Sequence, residues 1–323
     1  MAYVAGDQIL DDQYISFASS SSAPFGYNHF AGTGLGQYGL GQTALGLVNA
    51  GDTITAAQWN SLFTAMDNIA NHTNDTLTST GAITAGDTIA IKAALEADLA
   101  TLAASVAAGC PNASALSTTA TQRTVTTAAS SWDVSATHEL SVTFNNANEM
   151  RWFFNAGGKI RIVVTANADA NANNLKDQSF IDIGSAIGNL DIGAQATTRS
   201  GSGEVTTTDG LANGFHDLTT SYVTLLKITS NNANYLSNAV EIQAKLDAAV
   251  GTATTMTVKM IATDPASDAT YDATNTLSVG ADPKASPVMV TTMAFINPTT
   301  AQGLAAVYTP ASTALVSNTT SNV

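Results

Sequence analysis

The chain has 323 residues and a mass of 33.0 kDa, and Ala, Thr, Ser, Asn and Gly make up much of its bulk. That length allows more than one hydrophobic core. A formal net charge of −14 argues against the clustered Lys/Arg surface that phosphate neutralisation needs, so no nucleic-acid partner is expected. No apolar run approaches the roughly 18 residues of a membrane helix, and the single cysteine, Cys110, can form neither an internal disulfide nor a thiolate metal site by itself.

The opening MAYVAGDQILDDQY has neither a basic n-region nor an apolar h-region and does not read as a secretory signal. Residues 1–50 are expected to form an extended arm. After Phe17 the chain is rich in Ser and Gly, is punctuated by Phe25, Tyr27, Phe30 and Tyr38, and follows neither helical nor strand periodicity. Gly34, Gly36 and Gly39 spell GxGxxG, but no strand precedes them and more glycines flank them, so a dinucleotide loop is not expected.

Residues 51–112 predict a helical hairpin serving oligomerisation. AGDTI occurs at Ala50 and again at Ala85, each time opening an amphipathic helix. Thr55 is the expected N-cap of the first, with Trp59, Leu62, Phe63, Met66 and Ile69 on one face. In the second, Ile91, Leu95, Leu99, Leu102 and Val106 recur at helical spacing, and Gly109-Cys110-Pro111 stops it. An apolar stripe of this kind is either core or the lining of a symmetry axis. Trp59, Phe63 and Met66 are therefore candidate interaction residues.

From about Ala113 the period becomes 2. RTVTTAA, HELSVTFNN, MRWFFNA, GKIRIVVTA, YVTLLKITS, AVEIQAKLD, TMTVKMIATD and PVMVTTMAFI are strand-like runs separated by turn residues. Together they predict a mainly β protein with a helical N-terminal part: an antiparallel, jelly-roll-like β-sandwich over 113–297. A helix over 174–190 is inserted in it, and an extended tail over 298–323 follows. In EMRWFFNAGGKIRIVVT (149–165), Gly157-Gly158 reads as the turn of a central hairpin. Ile160, Ile162 and Val164 would then face the core and Arg161 would face away.

Little in the chain points to chemistry. His29, His72, His138 and His216 form no paired ligand spacing. Asp169, Asn171 and Asn173 imitate the start of a calcium loop, but Asn174 stands where Gly is needed and Phe180 where Glu is needed. That loop and the looser Asp264, Asp268, Asp272 set read as solvated, so no metal or cofactor is expected. Ser185 and Ser202 lack nucleophile-elbow spacing. Glu139 and Glu149 read as strand-face residues rather than a glycosidase pair. No enzyme activity is expected. Arg151, Trp152 and Arg161 are candidate contacts for a sugar or an acidic partner, against the simpler alternative that they serve the hairpin itself.

Several stretches occur together in a telling order: MAYVAGDQILDDQY, GQYGLGQ, AGDTITAAQWNSLFTAMDNIANHT, EMRWFFNAGGKIRIVV, GFHDLTTSYVTLLKI and NYLSNAVEIQAKLD. Over about Met1–Asp264 the chain resembles virion structural proteins of tailed bacteriophages of marine bacteria and cyanobacteria, of the tail-fibre or appendage kind. The resemblance implies localisation in the virion and a structural subunit of a fibre or another tail, neck or baseplate appendage. Its expected partners are itself, as a homo-oligomer and expected trimer, neighbouring virion proteins, and a host surface glycan. Other structural roles compatible with the composition are a capsid decoration protein, a receptor-binding module and a self-assembling surface filament.

Overall fold

The computed structural model describes residues 11–19, 25–79, 81–84, 92–129, 131–167, 174–203, 206–208, 210–265, 270–272, 274–279, 285 and 287–321. The chain forms two compact units, each assembled from three separate stretches: 1–117, 147–158 and 297–309 in one, and 118–146, 159–296 and 310–323 in the other.

The first unit is helical. Its helices are α1 (Asp11–Ala18), α2 (Ala56–Thr73), α3 (Lys92–Ala107) and α4 (Ala147–Asn155). α2 starts where the sequence predicts: the Thr55 side chain accepts from Gln58 N, and the Gln58 side chain accepts from Thr55 N. This reciprocal box satisfies two amides that the first helical turn leaves free. Trp59, Leu62, Phe63, Met66 and Ile69 are all buried, as are Leu95, Leu99, Leu102 and Val106 of α3. Ile91 and the second AGDTI lie outside the described residues.

The core of this unit also contains Tyr14, Phe17, Tyr27, Phe30 and Leu40. The expected extended arm is therefore corrected over its described residues. Its aromatic residues fold back on the chain's own helices, Tyr14 and Phe17 packing against Trp59 with ring centroids at 5.6 and 5.9 Å. The alternation-blind spacing of these aromatics concealed a core segment because its backbone is largely irregular.

The second unit is the sandwich. Its strands are β1 (Leu116–Thr118), where the chain crosses between units, then β2 (Arg123–Thr126), β3 (Ser135–Thr143), β4 (Lys159–Asn167), β5 (Asn189–Ile192), β6 (Thr197–Arg199) and β7 (Thr206–Thr208). They continue as β8 (Val223–Thr229), β9 (Ala239–Leu246), β10 (Thr255–Thr263), β11 (Thr270–Tyr271), β12 (Leu277–Val279), β13 (Val288–Pro298) and β14 (Ser312–Ser321). One six-stranded sheet runs β1-β13-β4-β5-β6 with β2 also on β13; the other runs β14-β3-β10-β9-β8-β7. The pairings that set these sheets are antiparallel, as expected. Alternation makes the sandwich: Ile160, Ile162, Val164 and Ala166 of β4 are buried, as are Met256, Val258, Met260 and Ala262 of β10. His138 of β3 bridges the two sheets, its Nδ1 2.8 Å from Thr291 Oγ1 of β13.

The inserted helix is α5 (Leu175–Ile187), capped by the Asn174 side chain accepting from Asp177 N. It lies along β4 and reaches β8 and β9, burying Phe180, Ile183 and Ile187. Gly184 allows this approach, since a Cβ there would stand 3.1 Å from Val164 O. The stretch expected to be an extended tail is corrected in part: residues 312–321 form β14 within the sheet.

The central hairpin is also corrected. Met150 to Asn155 are helical, and Gly157-Gly158 caps α4 rather than turning between strands. Gly158 N donates to Phe153 O and Gly157 N to Phe154 O, with Gly157 at φ +89°. This bond pair is a Schellman helix end, which needs a left-handed residue as much as a tight hairpin does. Met150, Phe153 and Phe154 are buried at i, i+3, i+4 spacing, a pattern that a short apolar run cannot distinguish from a strand. The second half of the expectation holds: Ile160, Ile162 and Val164 face the core, and Arg161 stays partly exposed.

Candidate interaction surface

The predicted contact residues come to rest in three different settings. Trp59, Phe63 and Met66 are core residues, 3%, 3% and 0% exposed, and their stripe is consumed within one chain. They cannot line a symmetry axis, so any contact between copies must lie elsewhere.

Arg151 and Trp152 belong to α4. Arg151 is buried and its guanidinium donates to Gly34 O and to Asn148 Oδ1, 2.9 Å away. Four residues on, Asn155 donates to Tyr38 O at 2.8 Å and Gly39 O at 3.0 Å. The i, i+4 pair thus grips the carbonyls of the glycine-rich segment, which gives GxGxxG a structural purpose. Trp152 leans on Tyr308 with ring centroids at 4.9 Å, and the Tyr308 hydroxyl donates to Gly41 O at 2.9 Å. Gly41 has φ +68°, and a Cβ there would stand 2.5 Å from Tyr308 and 2.6 Å from Trp152. Both side chains hold the unit together. Arg161 sits apart from them in the sandwich, in a bidentate pair with Asp191 on β5 at 2.7 and 2.8 Å. Its guanidinium pKa is raised by that hydrogen bond, with burial opposing and the Asp191 charge reinforcing.

The polar residues weighed for chemistry are mostly engaged. Asp264 is buried in an ion pair with Lys176 Nζ at 2.9 Å, and Asp272 Oδ1 accepts from Thr274 N, Thr274 Oγ1 and Thr276 N. Asp169, Asn171, Asn173 and Asp268 lie outside the described residues. Among the described residues no group of three or more His, Cys, Asp or Glu is placed to hold a metal ion. Glu139 pairs with Lys259 at 3.7 Å. Ser185 is exposed on α5. His72 and His138 are fully buried; burial lowers the pKa of both, that of His138 to about 4, and the bond to Ala156 O partly offsets the effect at His72.

Among the clefts that open on the helical unit are two of about 440 and 280 Å³. The larger is lined by Gln42, Thr43, Asn60, Ser61, Thr64 and Asn68 among others and holds no charged group. Its amides are already committed: Gln42 bonds Leu40 O, Ala306 O, Ala305 N and Ala306 N, and Asn60 bonds Ile83 N and O. The smaller is walled by Phe17, Phe25, Tyr38 and the alanines of α3.

The surface that sequence reading missed is β14. It is the edge strand of its sheet, with β3 as its sheet neighbour. Its ten residues, STALVSNTTS, include no charged residue and no proline. A bulge between Leu315 and Ser317 leaves Val316 unpaired, and Leu315 and Val316 stand 46% and 53% exposed. Arg123 of β2 donates to Thr313 O at 2.8 Å, a carbonyl turned away from β3, and Asn318 donates to Thr126 O at 2.8 Å. These contacts anchor the strand to the opposite sheet. The strands at the far ends of the two sheets, β6 and β7, have three residues each. Long, uncharged edges are what folded proteins normally avoid, because their free amides and carbonyls accept another strand.

Comparison with protein-family models, with curated proteins and with solved structures yields no match to this chain.

Proposed function

We propose that the protein is a structural subunit that works by assembling with copies of itself and with neighbouring proteins. In the setting its sequence resembles, that is a fibre or another tail, neck or baseplate appendage of a tailed-phage particle. The observation that carries this reading is β14, a ten-residue neutral edge strand with two exposed aliphatic side chains at its middle. An isolated enzyme gains nothing from such an edge, whereas an assembling subunit uses it to add main-chain hydrogen bonds across an interface. The commitment of Arg151, Asn155 and Gln42 to backbone carbonyls supports the same reading. Polar side chains here brace the chain where a catalyst would point them at a ligand.

The test is the location of the chain. Antibody labelling of purified phage particles, read by electron microscopy, should mark an appendage. Labelling spread over the capsid shell would point to a decoration protein, and absence of the chain from particles would overturn the reading.

A further inference from the structure

We infer that β14 pairs antiparallel with β14 of a second copy, joining two six-stranded sheets into one across a two-fold axis; this rests on the assembly reading above. Three observations converge on a second copy as the occupant. First, charge: each chain carries −14, so two copies repel over most approaches, yet the ten residues of β14 contribute none of that charge. A basic partner would find no carboxylate on this strand to recognise, while an identical neutral strand meets no penalty. Second, self-complementarity: a two-fold contact uses the same patch on both subunits. With the axis between Leu315 and Val316, each Leu315 stands opposite the other copy's Val316, covering the two aliphatic side chains that are exposed in the single chain. Third, rigidity: Arg123 and Asn318 tie the strand to β2 at Thr313 and Thr126, so little ordering entropy is lost when it pairs.

Single cysteines placed along 312–321 in the full-length chain test this directly. Cys110 is buried and burial raises its pKa, so it does not compete. Mild oxidation should give disulfide dimers most readily at Leu315→Cys and Val316→Cys, with the yield falling towards Thr313→Cys and Thr320→Cys. A yield that is even along the strand would mean parallel pairing and overturn the register. In the second arm, Val316→Lys and Thr319→Lys should each weaken dimerisation at least tenfold in sedimentation, with circular dichroism and thermal midpoint unchanged. Dimers that survive both lysines without cross-linking through β14 would overturn the inference and leave the virion assignment standing. Absence of the chain from particles would remove that assignment without touching the dimer result.

Discussion

Gly157 sits where two helix ends meet. It holds φ +89° as the C-terminal cap of α4, and a Cβ on it would stand 2.8 Å from Cys110 O and 3.1 Å from Gly109 O. Those carbonyls belong to the end of α3, which closes by the same motif: Cys110 N donates to Ser105 O and Gly109 N to Val106 O. Backbone on both sides cannot yield as a flexible side chain would. Gly157→Ala should therefore cost about 1–3 kcal/mol, the usual scale for a non-glycine residue forced into a sparsely populated region, visible as a lower urea midpoint. The two arginines of the same stretch should behave oppositely. Arg151 is buried on carbonyls that only a planar fork can reach together, so Arg151→Lys should lose about 1.5–3 kcal/mol per charged hydrogen bond broken. Arg161 is partly exposed beside Asp191, and Arg161→Gln should change stability by about 1 kcal/mol or less. Equilibrium unfolding of both variants separates a buried brace from a surface pair.

α5 is bound to the sandwich by apolar packing, hydrogen bonds and an ion pair. Lys176 and Asp264 are 1% and 0% exposed, 2.9 Å apart, and remote from bulk water. Removing one partner strands a buried charge, so Lys176→Met should destabilise the protein by about 3–5 kcal/mol. Lys176→Met combined with Asp264→Leu should recover much of that loss, because a matched apolar pair carries no desolvation cost. A double variant no more stable than the single one would show that the pair orders the chain around α5 beyond its charge. The helix itself was legible in the sequence, since Asn174 is a good N-cap and Phe180, Ile183 and Ile187 keep helical spacing. The pair was not, because Lys176 and Asp264 are 88 positions apart and only the tertiary placement of α5 on the sandwich brings them together.

Each unit buries a neutral imidazole, His72 in the helical one and His138 between the sheets. His138 has Thr291 as its hydrogen-bond partner and Met260 and Asn318 as its strand neighbours, none of them a carboxylate that would stabilise a charged ring. The unfolded chain takes up a proton on a histidine below about pH 6.5, whereas folded His138 resists down to about pH 4. A depressed folded-state pKa on a base means the stabilisation is complete above the unfolded value. It is lost progressively as the pH falls from about 6.5 to about 4, a drop of about 3 kcal/mol for His138 alone, with His72 adding in the same direction. Unfolding midpoints measured across that window should fall steadily, and His138→Asn should flatten the profile. A midpoint independent of pH between 7 and 4 would contradict the burial of both rings.

Local pattern settled much of this protein without reference to its tertiary structure. Period-2 alternation placed the inward faces of β4, β9 and β10, and helical spacing with Thr55 as cap placed α2. These hold because burial on one face and amide satisfaction at a helix end are decided within a few residues. Three things depended on the fold. Glycine after MRWFFNA requires a left-handed residue in either a helix cap or a hairpin, and only the burial of Met150, Phe153 and Phe154 on one side chose the helix. The stripe of Trp59, Phe63 and Met66 looked the same whether it met another chain or this one, and Tyr14, Phe17, Tyr27, Phe30 and Leu40 joining its core made the choice. β14 drew no attention because Thr, Ser and Asn favour exposed strands and irregular tails alike. Its edge position follows from long-range pairing with β3, more than 160 residues earlier in the chain, which no local pattern encodes.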